Sequence, residues 1–115
     1  MRRIASHFLI LSSREVLKKQ VIEIADHKLI RYFPLEEEIE SVQWMPGVLF
    51  ITSQKIKSEK IRAELENAEG EGILYFLNRF NLFAIKEDTD IYLYLFNAVD
   101  LNDLKITKET SFTEL

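Results

Sequence analysis

The segment at positions 90–97, DIYLYLFN, constrains the fold more than any other part of the chain. Because side chains alternate across an extended strand, it presents aliphatic residues on one face and aromatic residues on the other. The aliphatic face carries Ile91, Leu93 and Leu95, and the aromatic face carries Tyr92, Tyr94 and Phe96. A strand that is apolar on both faces has to be covered on both sides, so the segment predicts a central strand of a sheet.

The first third of the chain also has the patterns of strands. Residues 3–11 carry apolar side chains at alternate positions, and residues 15–25 alternate in their second half. The apolar run at 29–33 follows the polar link Asp26-His27-Lys28. Two such runs joined by a short polar connection predict a β-hairpin. Pro34 ends its second strand, because proline has no N–H to give to a ladder.

Two helices are predicted in the middle of the chain. Residues 53–68 are rich in helix-forming residues and carry one narrow apolar stripe. Ser53 or Ser58 would cap the N-terminus of this helix, and the GEG sequence at 70–72 would end it. Residues 72–81 also fit a helix, although their length allows a strand as well.

The shorter segments complete the order of elements. The acidic stretch 35–44 predicts one helical turn or a loop, and Pro46-Gly47 predicts a turn that leads into a buried strand at 48–51. Further strands are predicted at 82–86, at 104–108 and at the end of the chain. Strands followed by helices and again by strands predict an α+β fold, mostly β.

The length of 115 residues predicts a single domain that spans residues 1–115. Within it, residues 1–52 would supply the N-terminal strands, residues 53–81 a helical insert and residues 82–115 the C-terminal strands. Hydrophobic residues make up 47% of the chain and charged residues 30%, which is typical of a globular protein and argues against disorder.

Charge and composition also exclude several classes of partner. The net charge of −4 disfavours a nucleic-acid backbone as the main partner. No apolar run approaches the roughly 18 residues of a membrane helix, and the N-terminus lacks the pattern of a secretory signal. The absence of cysteine excludes disulfides and thiolate metal sites. We therefore expect no nucleic acid, no membrane and a cytoplasmic location.

The two ends of the chain together resemble the amidohydrolase superfamily of metal-dependent hydrolases and deaminases. The opening RRIASHFLILSSREVLKKQVIEIADHKLIRYFPLEEE is similar to the strands that precede the catalytic barrel in that family. MPGVLFI resembles the entry into its first barrel strand, and FAIKEDTDIYLYLFNAVDLNDLKITKETSFTEL resembles its closing segment, including the tail of one bacterial branch. The resemblance implies the composite domain formed by both ends, a small β-sandwich or pseudo-barrel, with a short helical insert in place of the barrel.

The same resemblance implies a protein without the catalytic centre of the family. After the Pro-Gly strand the family places His-x-His, its first two metal ligands, whereas this chain has Thr52-Ser53-Gln54 there. The later ligands have no segment that could carry them. We therefore expect no enzyme activity, no catalytic residues, no metal site and no cofactor.

Other residues with chemical potential have simpler structural explanations. His7 and His27 could form half a metal site, but such a site needs three or four converging ligands, and a whole strand separates these two. The acidic run is more typical of a solvated surface or a guarded sheet edge than of a cation site; it comprises Glu36, Glu37, Glu38 and Glu40. Turn formation explains the aspartates Asp88, Asp90, Asp100 and Asp103. Ser12-Ser13 lacks the context of a nucleophile, and Gly70-Glu71-Gly72 is too acidic for a phosphate loop.

The aromatic content leads to two hypotheses of function. In the first, the chain is a non-catalytic module that binds a second copy or another protein through an exposed aromatic patch on the helical insert. The candidate interaction residues are Tyr75, Phe76, Phe80 and Phe83. In the alternative, a pocket between sheet and helices binds a small ligand. The candidate pocket residues are His7, Tyr92 and Tyr94.

Overall fold

The computed structural model describes residues 1–12, 15–36, 41–83 and 90–115. The strands are β1 (Arg2–Ala5), β2 (Phe8–Ser12), β3 (Glu15–Lys18), β4 (Gln20–Ala25), β5 (Lys28–Pro34), β6 (Val42–Trp44), β7 (Val48–Thr52), β8 (Tyr92–Asn97) and β9 (Ser111–Glu114). The helices are α1 (Ser58–Leu65) and α2 (Ile73–Arg79). The prediction of an α+β fold, mostly β, is confirmed.

The strands form two sheets that pack face to face. Sheet A has the order β5-β4-β1-β6, and sheet B has the order β3-β2-β7-β8-β9. The helices cover the other face of sheet B, which therefore lies between sheet A and the helices. As the sequence predicts, the segment that alternates aliphatic and aromatic residues is internal, because β8 pairs with β7 on one side and β9 on the other.

The two faces of sheet B pack against chemically different cores. The core between the sheets is aliphatic; its buried members are Ile4, Leu9, Leu11, Ile22, Leu49, Ile51, Ile91, Leu93 and Leu95. The core between sheet B and the helices contains the large aromatic side chains Phe50, Phe76, Tyr94, Phe96 and Phe112. Leu93 and Tyr94, neighbours in β8, therefore point into different cores, as the alternation of a strand requires.

The runs predicted as single strands at 3–11 and 15–25 each divide between the two sheets. Strands β1 and β4 pair in sheet A, whereas β2 and β3 pair in sheet B. The chain bends at Ser6-His7 on one side and at Lys19, which has a positive φ of 46°, on the other. The Lys19 N–H donates to the carbonyl of His7 at 3.0 Å and joins the two bends.

A third bend, at Pro46-Gly47, completes this corner of the sandwich. Strand β6 runs parallel to β1 in sheet A, and β7 runs parallel to β2 in sheet B. The chain therefore passes from one sheet to the other between β6 and β7, beside the bend between β1 and β2. The Ser6 hydroxyl donates to the Gly47 carbonyl at 2.7 Å, and the Gly47 N–H donates to Nδ1 of His7 at 3.1 Å. The φ of Gly47 is 126°, and a Cβ at this position would overlap the carbonyl oxygen of Phe96. Only glycine fits there without strain.

Helix α1 is shorter than the predicted helix over 53–68. It begins at Ser58, its N-cap is Lys57 and no side chain caps it, so the prediction of a serine cap is wrong. Tertiary contacts hold the preceding residues in a non-helical conformation: the Ile56 N–H donates to the Tyr94 hydroxyl at 2.8 Å. Helix α2 lies within the predicted range 72–81.

Three other local predictions change in the structure. Residues 104–108 form no strand: Leu104 ends a turn whose N–H groups at 102 and 103 donate to the Asp100 carboxylate, Thr107 begins a second turn, and Lys105 makes isolated bridges only. Within 35–44, the residues from Val42 form strand β6. Leu82 and Phe83 are not in a strand, and the rest of the predicted strand at 82–86 lies outside the described residues.

Candidate interaction surface

The helical layer presents one of the four predicted interaction residues to solvent. Tyr75 is 63% exposed, whereas Phe76 is fully buried in the aromatic core. Phe80 and Phe83 are half-buried and pack against the same core. The guanidinium of Arg79 lies 4.6 Å from the ring centroid of Phe80 and covers part of it. Phe76, Phe80 and Phe83 therefore contribute mainly to the core, and of the four residues Tyr75 alone is largely exposed.

The three predicted pocket residues lie in different environments. His7 is at the corner of the sandwich, where its ring meets the ring of Trp44 edge-on at 4.9 Å. Tyr94 is buried and stacks on Phe112 at 4.9 Å, and burial raises the pKa of its hydroxyl. Tyr92 lies two residues away and is half-buried. The structure does not bring His7 together with the two tyrosines.

Two of the open clefts in the described part of the chain flank sheet B. One, of about 360 Å³, is lined by Tyr92 and by charged residues of both signs, including Arg2 and Asp90. The other, of about 530 Å³, lies between the start of α1 and Glu114 of β9. Among the residues that the structure describes, no group of three or more histidine, aspartate or glutamate side chains is placed to hold a metal ion.

Exposed apolar side chains are concentrated on sheet A. Among the described residues, the large exposed ones are Met1, Ile30, Tyr32, Trp44 and Tyr75. Ile30 and Tyr32 lie in β5, at one edge of sheet A, and Trp44 lies in β6, at the other. Ile30 is 53% exposed and Tyr32 40% exposed. The candidate surface is therefore the β5 edge, which we define as residues Lys28–Pro34.

A tight turn fixes the position of the β5 edge. Asp26 and His27 have φ values of 50° and 61°, which is the signature of a two-residue type I′ turn. The turn sets the register in which Ala25 pairs with Lys28. Farther along, the pairing shifts by one residue, so that Ile30 bulges between Leu29 and Arg31. Beyond the bulge the ladder continues without interruption from Arg31 to Pro34.

A buried carboxylate holds Arg31 in place. Glu23 is 1% exposed and accepts hydrogen bonds from Nε of Arg3, at 2.9 Å, and from Nε of Arg31. The hydrogen bonds from Arg31 and Arg3 hold the pKa of Glu23 below its usual value. The guanidinium of Arg31 also lies over the ring of Phe33, at 4.9 Å from its centroid. These contacts restrict Arg31 to one region of the surface although most of its side chain is exposed.

The other sheet edges in the described part of the chain are shorter or better covered. Helix α1 packs against β9, and Nε of Arg62 donates to the carbonyl of Phe112 in that strand at 3.0 Å. Strand β3 has four residues with a charge at each end, and β6 has three residues. Proteins guard sheet edges by these devices. Strand β5, with seven residues, is the longest of these edges; among the described strands it pairs with β4 alone, and its own guards are Lys28, the bulge at Ile30 and Pro34.

The sequence does contain features that indicate the β5 edge, although they lie outside the predicted aromatic patch. Pro34 belongs to the strand, and proline occurs in sheets mainly on edge strands. In the preceding sequence, the apolar residues Ile30 and Tyr32 flank the cation Arg31. Together these features indicate an edge strand with apolar side chains.

No protein-family model, curated protein or solved structure matches the chain. The resemblance of its two ends to the amidohydrolase superfamily therefore stays a prediction. Neither α1 nor α2, the helices in the described residues, has the length and apolar character needed to span a bilayer.

Proposed function

We propose that the chain is a non-catalytic module that associates with a protein partner through the β5 edge. The observation that carries this proposal is the combination, in one strand, of a sheet edge with which no other described strand pairs and the exposed side chains of Ile30 and Tyr32. An exposed edge offers unpaired backbone N–H and C=O groups, and adjacent apolar side chains add the burial that favours association.

The contacts of Arg31 support a binding role for this edge. A flexible arginine loses conformational entropy when a partner fixes it, whereas Arg31 is already held by Glu23 and Phe33. The edge therefore presents a pre-positioned cation beside Phe33, with Tyr32 on the opposite face of the sheet. Apolar groups with an ordered arginine are the composition that is enriched in the central part of protein interfaces.

Binding of a small ligand between sheet B and the helices is the alternative, and it has less support. Its candidate Tyr94 uses its hydroxyl to accept the N–H of Ile56 within the core. The cleft beside α1 is lined by charged residues of both signs. Among the described buried side chains, Oε1 of Glu71 is the polar atom without a hydrogen-bond partner, and Glu71 does not line this cleft.

The proposal is tested by affinity purification of the tagged chain from its own host, combined with light scattering of the purified chain. The matched variants are Ile30→Asp, on the β5 edge, and Tyr75→Asp, at the exposed aromatic residue of α2. A stoichiometric partner or a dimer that is lost with Ile30→Asp and retained with Tyr75→Asp would support the proposal. A monomer that recovers no partner would overturn it, and so would a complex that is lost only with Tyr75→Asp.

A further inference from the structure

We propose that the partner contributes an extended segment that adds to sheet A as a fifth strand beside β5, with an acidic residue opposite Arg31 and apolar residues opposite Tyr32 and Phe33. This inference rests on the association function proposed above and names the chemistry of the partner. It follows from the rows of side chains that cross sheet A.

The first row is made of charges that alternate in sign. Register places Arg3 of β1 opposite Glu23 of β4, and Glu23 opposite Arg31 of β5. Directly paired residues lie on the same face of a sheet. The row therefore reads cation, anion, cation, and it ends on Arg31 at the open edge. Its single carboxylate is shared by two guanidinium groups, so the row has a net charge of +1. The next strand would continue the alternation with an acid.

The two neighbouring rows are apolar. Tyr32 of β5 lies opposite Ile22 of β4, which lies opposite Ile4 of β1. On the other face, Phe33 lies opposite Val21, which lies opposite Ala5. Both rows reach the open edge as aromatic rings. A strand added beside β5 would extend them best with apolar side chains, because cross-strand pairs of aromatic and β-branched residues stabilise a sheet.

The backbone of β5 is suited to pairing with a short additional strand. The regular ladder between β4 and β5 runs from Arg31 to Pro34, on one side of the bulge at Ile30. In an antiparallel pair, alternate residues direct their N–H and C=O groups away from the paired neighbour, so this half of β5 offers groups to a new strand. The bulge increases the local twist and limits how far a flat strand can continue. We therefore expect a short, locally extended segment.

A second copy of the chain fits this edge less well. Strand β5 carries Lys28 and Arg31 and no acidic residue. Pairing of β5 with itself would bring four cations into one ribbon, and in no register would an acid lie opposite Arg31. Each copy would also bring its own bulge at Ile30. The occupant that satisfies the row of charges is therefore an acidic segment other than β5 itself, and we assign it to a different protein.

The test uses a displayed library of short random peptides, selected on the full-length chain. We expect the selected peptides to share an acidic residue next to two apolar residues. Hydrogen exchange of the chain with and without a selected peptide locates the site. Amide protection gained within residues 31–33 would support strand addition, since Pro34 has no amide hydrogen to report it.

Arg79 provides a matched control for Arg31. Each arginine bonds a glutamate and lies over a phenylalanine: Arg31 over Phe33 in sheet A, and Arg79 over Phe80 at the end of α2. We expect Arg31→Gln to weaken peptide binding by about tenfold, the loss of one charge-assisted contact, whereas Arg79→Gln leaves it unchanged. Thermal denaturation checks that both variants remain folded. A second selection, on Arg31→Gln, should no longer favour acidic peptides.

Several results would overturn the inference. These are a selection that yields no binder, selected peptides without an acidic preference, and protection that appears outside β5. If Ile30→Asp abolishes binding of the host partner but the library yields no acidic peptide, the proposal of association at β5 is supported and the inference of strand addition is wrong. If the peptides bind β5 as expected but no host partner or dimer is found, the proposed function is wrong, whereas the inference that β5 binds an acidic strand is supported.

Discussion

The hydroxyl oxygen of Tyr94 lies 2.8 Å from the backbone nitrogen of Ile56 and accepts its N–H. The bond joins the middle of β8 to the residues that lead into α1, and both groups are buried. It forms between positions separated by 38 residues in the chain. It therefore ties the helical layer to sheet B and sets where the helix can begin.

Replacement of Tyr94 by phenylalanine removes this acceptor and retains the ring. The N–H of Ile56 would then be buried without a partner, and we expect the free energy of unfolding to fall by about 1–2 kcal/mol. Tyr75→Phe, at an exposed position, should change it by less than about 0.5 kcal/mol. Urea denaturation of both variants measures the difference. Equal stability of Tyr94→Phe and the parent chain would show that water or another group satisfies Ile56.

Alkaline pH should weaken the fold through the same side chain. Burial raises the pKa of Tyr94 above its ordinary value of 10.0, so above that pH the unfolded chain loses the phenolic proton before the folded chain does. Stability should therefore be complete below about pH 10 and fall as the pH rises further. In Tyr94→Phe the fall should be shallower. Denaturation curves at a series of alkaline pH values compare the two slopes, and identical slopes would contradict the assignment.

Acidic pH should weaken sheet A through Glu23. Because Arg31 and Arg3 lower its pKa from 4.5, the unfolded chain takes up the proton at a higher pH than the folded chain does. The contribution of the ionised carboxylate is therefore present above about pH 4.5 and is lost as the pH falls through the lower pKa of the folded state. Glu23→Gln should be less stable at neutral pH and should depend less on pH below this point.

Glu66→Gln is the control for this measurement, because Glu66 is exposed at the end of α1. It should retain the acid dependence of the parent chain. Thermal denaturation from about pH 7 to about pH 3 covers the transition. If Glu23→Gln loses stability with acid as steeply as the parent chain, other carboxylates dominate and the role of Glu23 is smaller than its contacts indicate.

The sequence predicts correctly those elements whose burial depends on the pattern of a few neighbouring residues. The segment 90–97 forms β8 and is internal because apolar side chains on both faces can be buried only between two layers. The β4–β5 hairpin follows in the same way from two strand-like runs around a polar turn. In both cases the information lies within a few consecutive residues.

Features that depend on distant residues escape such prediction. The run 3–11 gives no sign of the bend between β1 and β2, because the bend depends on the bond from Gly47 to His7. The start of α1 depends on Tyr94, and the exposure of Ile30 depends on which strand completes sheet A. The burial of Phe76 likewise follows from the packing of α2 on sheet B. The candidate surface on β5 could therefore be recognised only once the order of the strands was known.

The corner at Gly47 yields a prediction that separates steric overlap from backbone strain. Gly47 and Gly70 both have positive φ, of 126° and 87°, but a Cβ at Gly70 would have no neighbour within 4 Å. We expect Gly70→Ala to cost about 1 kcal/mol from strain alone. Gly47→Ala adds the overlap with Phe96 and should lower the free energy of unfolding by on the order of 3 kcal/mol. Chemical denaturation of both variants measures the gap. Equal losses would mean that β8 moves away from the corner at no cost, and that the junction between the sheets is less rigid than its hydrogen bonds imply.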